Sequence, residues 1–107
     1  MCIISGALSP TEAYNARVYG ADFIKVFPAN VFGASYFKTL KAPLPDIPML
    51  AFAGIGENNI AEYIKAGAIG AGIGSELINL SAIEKGDFEY VENKAKALIN
   101  CVQNARK

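Results

Sequence analysis

An α/β fold of repeated strand-helix units, one parallel sheet with helices covering it, is what this sequence predicts. Three observations carry that reading. Short apolar runs begin near Ile3, Phe23, Leu50 and Ile69, about twenty to twenty-seven residues apart. Each run is followed by a segment with helical start and stop signals. Hydrophobic residues make up 52% of the chain and charged ones 19%, richer in apolar residues than an ordinary small domain, as a layered interior or a partner surface requires. At 107 residues the chain accommodates a single domain, residues 1–107, with no linker or low-complexity segment inside it.

The first strand is expected over residues 2–4, CII. Ser9 then stands as N-cap, with Pro10 at the first helical position and Glu12 three residues on, a capping box. That helix is expected to end at Tyr19, closed by Gly20. The second strand is DFIKVF, ended by Pro28, and a short helix is expected over residues 34–40 before three prolines in APLPDIP stop it. The third strand, MLAFA, runs into Gly54-Ile55-Gly56, after which Asn58 or Asn59 caps the helix IAEYIKA, ended by Gly67. The fourth, AIGAGI, is glycine-rich, and Gly74-Ser75 is expected to open a short helical stretch. Asp87 caps a longer helix over residues 88–107, with Val91, Ala95, Leu98, Ile99 and Val102 as its apolar stripe. Alternating strands and helices imply right-handed crossovers between parallel strands. Four such strands make either a small open sheet or half of an eight-stranded barrel, and periodicity does not separate these.

Lys25 stands out within FIKVFPAN. With a period of two, Phe23, Lys25 and Phe27 share one face of the strand and Ile24 and Val26 the other. If the Ile24/Val26 face meets the helices, Lys25 points to the interior among aromatic rings. Burying an ammonium favours its neutral form, and a neutral amine in an apolar pocket attacks carbonyl carbons. The alternative is a lysine that snorkels to the sheet end or pairs with Asp22 or another carboxylate. Two glycine-bearing turns, AGIGENN and GIGSEL, follow the third and fourth strands. There glycine lets backbone approach a ligand, and free N–H groups at the next helix start attract phosphate. Neither turn matches a nucleotide-binding glycine fingerprint.

Other classes are excluded or disfavoured. With no histidine, histidine acid/base catalysis and most transition-metal sites fall away. Cys2 and Cys101 lack metal-ligand spacing and lie at opposite ends, which fits a reducing cytoplasm. Zero formal net charge gives no footprint for nucleic acid or an anionic membrane. Lys94, Lys96, Arg106 and Lys107 are expected at the solvated end of the last helix.

The segments SGALSPTEA, ADFIKVFPA, AGIGENNIAEYIKAGA and GAGIGSEL together closely resemble the C-terminal half of the 2-keto-3-deoxy-6-phosphogluconate (KDPG) aldolases and their phosphogalactonate relatives, over nearly the whole chain. The resemblance implies four (βα) units equivalent to strands five to eight of a TIM barrel, a half-barrel. It implies class I aldolase chemistry needing no metal or other cofactor, with Lys25 of the Lys25-Val26-Phe27-Pro28-Ala29 segment forming a Schiff base with pyruvate or a phosphorylated keto-acid. Phe27 would line the pocket, and Gly54, Gly74 and Ser75 would hold the substrate phosphate. The sequence departs from the family where Phe52-Ala53-Gly54 replaces a Thr-Gly-Gly turn and where Ser5 replaces a proline. By the same resemblance the general-base glutamate belongs to a first half that is absent here. An open half has two unpaired parallel edges and an apolar inner face, so the chain is expected either to be part of a longer protein or to pair with a complementary half-barrel or another copy of itself.

Overall fold

The computed structural model describes residues 1–107. It contains four strands, β1 (Ile4–Ala7), β2 (Phe23–Val26), β3 (Met49–Phe52) and β4 (Gly70–Gly72). The helices are α1 (Pro10–Val18), α2 (Ala29–Lys41), α3 (Ile60–Lys65), α4 (Leu80–Glu84) and α5 (Phe88–Ala105). The strands form one parallel sheet in the order β1-β2-β3-β4. One row across it aligns Gly6, Lys25, Leu50 and Gly70.

The capping box forms as expected: the Glu12 N–H donates to Ser9 Oγ and the Ser9 N–H to Glu12 Oε1 at 3.0 Å. Several details differ from the sequence reading. The first strand lies over Ile4–Ala7 instead of residues 2–4; the Ile3 carbonyl accepts from Asp22 and Phe23, so chain entry is tied to β2 and the ladder runs on through Ser-Gly-Ala. Backbone pairing outweighs the poor strand propensity of those residues. The second helix starts at Ala29, not residue 34, and is broken at Gly33, whose φ of +78° suits glycine. Gly74-Ser75 opens only a single turn, closed by the Ile78 N–H on the Gly74 carbonyl, and α4 begins later under its own cap, Asn79. Asn59 precedes α3 but its side chain does not cap it.

Apolar residues on one face of the sheet, Ile24, Val26, Met49 and Ala51, pack beneath Phe37 and Leu40 of α2, Ile60, Tyr63 and Ile64 of α3, and Leu98 of α5. The Phe37 and Tyr63 rings meet edge to face at 6.1 Å. The buried Tyr63 hydroxyl donates to the Ala29 carbonyl, and desolvation raises its pKa. The α5 stripe is only partly buried: Leu98 is in the core, while Ile99 is 55% exposed. No helix is long and apolar enough to cross a membrane. The opposite sheet face carries Ile4, Lys25 and Phe27 by the alternation of the strands. It has no helical layer, and Ile4 and Phe27 are half exposed.

Candidate active site

Lys25 lies on that uncovered face. Its Nζ is 5.0 Å from the centroid of the Phe27 ring and 4.8 Å from that of Phe52. Phe27 is the next position on the same face of the same chain segment. Phe52 comes from β3, two residues beyond Leu50, the partner of Lys25. Each ring attracts an ammonium through its quadrupole, so the pair fixes the amine above the aromatic surface. The alternative of a pair with Asp22 does not hold. Asp22 instead accepts from the Ile3 N–H at 2.8 Å, and no carboxylate comes within ion-pair distance of Lys25.

The glycines of β4 follow from the side chains of β3 beside them, Leu50 at Gly70 and the Phe52 ring at Gly72. Gly72 pairs with Phe52, and a Cβ at Gly72 would lie 2.1 Å from the ring. At the ends of β3 and β4 a cleft of about 530 Å³ is lined by Phe27, Phe52, Gly54, Gly74, Ser75 and Glu76 among others. The structure thus brings together four of the five residues singled out in the sequence. Gly54 has φ +67°, and a Cβ there would meet the Asn30 side chain at 2.6 Å. Ala53, one position earlier, has φ +90° despite its side chain. The backbone N–H groups of Gly54, Gly74, Ser75 and Glu76 have no acceptor within the chain. A cluster of unpaired amides lining a concave surface is suited to an anion.

Lys25 itself lines an adjoining cleft of about 300 Å³ with Gly6, Ala7, Leu8 and Glu12, and Phe27 borders both clefts. Glu12 is a poor proton carrier for this position. Its carboxylate is occupied by the Ser9 N–H and hydroxyl and the Leu8 N–H, and these bonds hold its pKa below the usual glutamate range.

Sequence reasoning missed several residues around the larger cleft. Asn59 accepts from the Gly56 N–H at 2.9 Å and donates to the Gly54 carbonyl at 2.8 Å, stapling the β3–α3 turn. Glu76 accepts from the Glu57 N–H at 3.1 Å. Lys94, expected at a solvated helix end, pairs with Glu57 at 2.8 Å and Glu76 at 3.2 Å. The Glu57 N–H, and then Lys94, hold the Glu76 carboxyl below its usual range, while hydrogen bonds to Glu57 and Glu76 raise Lys94. The missed signal for Phe52 was the cross-strand register, which sequence periodicity does not supply. No three metal-ligating side chains gather anywhere in the chain.

Comparison with known proteins finds the family model for KDPG and KHG aldolase matching residues 1–94. The 2-dehydro-3-deoxy-6-phosphogalactonate aldolase of Escherichia coli (strain K12) is 45% identical over 78 residues, 72% of this chain and 38% of that protein. The 2-dehydro-3-deoxy-phosphogluconate aldolase of Treponema pallidum (strain Nichols) is 33% identical over 83% of this chain and 43% of its own length. A solved structure described as native KDPGal superposes with a TM-score of 0.88 at 36% identity, covering 98% of this chain and 50% of that one. The thiamine phosphate pyrophosphorylase of Pyrococcus furiosus superposes with a TM-score of 0.79 at 24% identity, a likeness of fold alone. The chain spans less than half the length of the curated relatives it matches, and its fold corresponds to half of a TIM-barrel-like chain.

Proposed function

Because the chain belongs to the KDPG and KHG aldolase family, we propose that it carries the Schiff-base half of a class I aldolase acting on a 2-keto-3-deoxy-6-phospho sugar acid. The observation that carries this reading is Lys25 Nζ held between the Phe27 and Phe52 rings, beside a cleft of unpaired backbone amides. Lys25 attacks the keto carbon, and loss of water from the carbinolamine leaves a protonated imine. The imine draws in the electron pair of the breaking carbon-carbon bond to become an enamine, while the hydroxyl on the far carbon loses its proton, its oxygen becomes the new carbonyl and that fragment departs as the aldehyde. The resulting enamine takes a proton on carbon, and water hydrolyses the imine to release pyruvate and the free amine. The Gly54 and Gly74-Ser75 amides hold the phosphate end throughout, with Phe27 against the carbon chain.

Both proton transfers require a carrier within hydrogen-bond reach, and with Glu12 committed to the α1 cap the carrier comes from outside this segment. We assign it to a complementary half-barrel seated on the uncovered face of Ile4, Lys25 and Phe27. The half coverage of the KDPGal structure supports that occupant. A second copy of the chain is the alternative. The test is pyruvate release from 2-keto-3-deoxy-6-phosphogluconate and its galactonate epimer. The chain alone is expected to turn over slowly or not at all, with addition of a relative's first half restoring turnover that Lys25→Ala abolishes. Turnover by the chain alone at the rate of a full-length aldolase, or restored turnover that survives Lys25→Ala, would refute the proposal.

The location of Lys25 outside the lining of the larger cleft favours one second reading, a phosphosugar-binding module that does not use the amine. Phosphate affinity unchanged by Lys25→Ala, together with no turnover in the complemented protein, would select it.

A further inference from the structure

Two turns flank the larger cleft: residues 53–59 after β3, and residues 73–79 after β4. Each is braced internally, the first by Asn59 on Gly54 and Gly56, the second by the Leu77 and Ile78 N–H groups on the Gly74 carbonyl. Glu76 connects them. Its Oε1 accepts from the Glu57 N–H, and its carboxylate lies so close over Gly56 that a Cβ there would come within 1.3 Å of Oε2. Glycine at position 56 is therefore explained by Glu76. Lys94 reaches from α5 and joins both Glu57 and Glu76, with its side chain only 24% exposed. One ammonium thus faces two carboxylates at the mouth of a cleft whose lining includes Glu76 and no lysine or arginine.

We propose that Lys94 is a positioning residue for anion binding. It clamps the two turns at the spacing that lets the Gly54 and Gly74-Ser75 amides act on one ligand, and it offsets carboxylate charge that would otherwise repel that ligand. The inference rests on the anion-binding reading of the cleft and adds to it a residue on a different element, α5, outside both of the turns it controls. Without Lys94 the carboxylates of Glu57 and Glu76 face each other uncompensated; the turns separate and the potential at the mouth becomes more negative, and both effects weaken an anion.

The test is titration of the isotopically labelled chain with inorganic phosphate, following the amide resonances of Gly54, Gly74 and Ser75. Saturable shifts are expected in the wild type. Lys94→Met should weaken binding at least about fivefold, a factor set by loss of one nearby charge in partly screened surroundings, and Lys94→Arg should restore it. Glu76→Gln keeps an acceptor for the Glu57 N–H, so the two turns stay bridged with Lys94 still paired to Glu57, while one carboxylate at the cleft is lost, and it should tighten binding. This variant carries the test if Lys94→Met fails to fold. A salt bridge that serves stability alone would leave affinity unmoved in every folded variant. Equal affinities across the series, or a wild type whose cleft amides do not respond to phosphate, would overturn the proposal. Trapping of pyruvate on Lys25 needs no phosphate, so it reads the aldolase assignment separately.

Discussion

Ala53 has a φ of +90°, a region where a β-carbon crowds the backbone and an L-residue is disfavoured by about 1–2 kcal/mol. It occupies the turn where the family resemblance puts a glycine, a residue that adopts this conformation without strain. Ala53→Gly should stabilise the protein by about 0.5–1 kcal/mol in chemical denaturation, the relief of strain exceeding the extra entropy of the unfolded glycine. A destabilised variant would mean that the methyl group contributes packing greater than the strain. Lys25 was legible in the sequence because an ammonium breaks an apolar alternation. Ala53 was not, since its cost lies in a dihedral angle that composition does not reveal. Lys94 was misread for a related reason: a lysine near a chain end resembles any solvated lysine until tertiary structure brings two carboxylates to it.

At the scale of elements, β4 owes its glycines to its neighbour. The Phe52 ring covers Gly72, so Gly72→Ala should displace the ring and cost about 1–3 kcal/mol through overpacking. Phe52→Ala in the same chain should recover part of that loss. Additive losses in the double variant, measured by denaturation, would contradict the contact. The clamp between the β3 and β4 turns and α5 has a pH window set by its two shifted groups. Glu76 has a depressed pKa in the fold, so its contribution is complete above the unfolded glutamate value and is lost as pH falls through the folded one. Lys94 is raised, so its contribution is complete below the unfolded lysine value and is lost as pH rises through the folded one. The melting temperature of wild type should therefore exceed that of Lys94→Met most near neutrality, and the gap should narrow at both acid and alkaline ends. A pH-independent gap would contradict the ion-pair account. Elements with strong local signals, such as α1 with Ser9, Pro10 and Glu12, were readable from sequence. The start of β1 and the entry to α2 were not, because the former is fixed by pairing with β2 and the latter is a separate turn before the kink at Gly33, with the Ala29 carbonyl accepting from the Tyr63 hydroxyl.

For the whole molecule, the decisive feature is a four-stranded parallel sheet covered on one face. Parallel sheets are ordinarily buried on both faces, and unpaired edges invite further strands. The alternation of strands and helices was readable from the chain; its assignment to half of a barrel instead of an open sheet needed the family resemblance, because both share one pattern of units. Addition of a complementary half-barrel should raise the melting temperature in proportion to the logarithm of its concentration once binding is saturated. A melting temperature indifferent to that partner would mean the uncovered face is not an interface for it. The central claim concerns the amine on that face. It is tested most directly by incubating the chain with pyruvate, reducing with borohydride and locating the adduct by peptide mass spectrometry. An adduct confined to Lys25 is the predicted result; no adduct, or one scattered over surface lysines, would contradict the aldolase account.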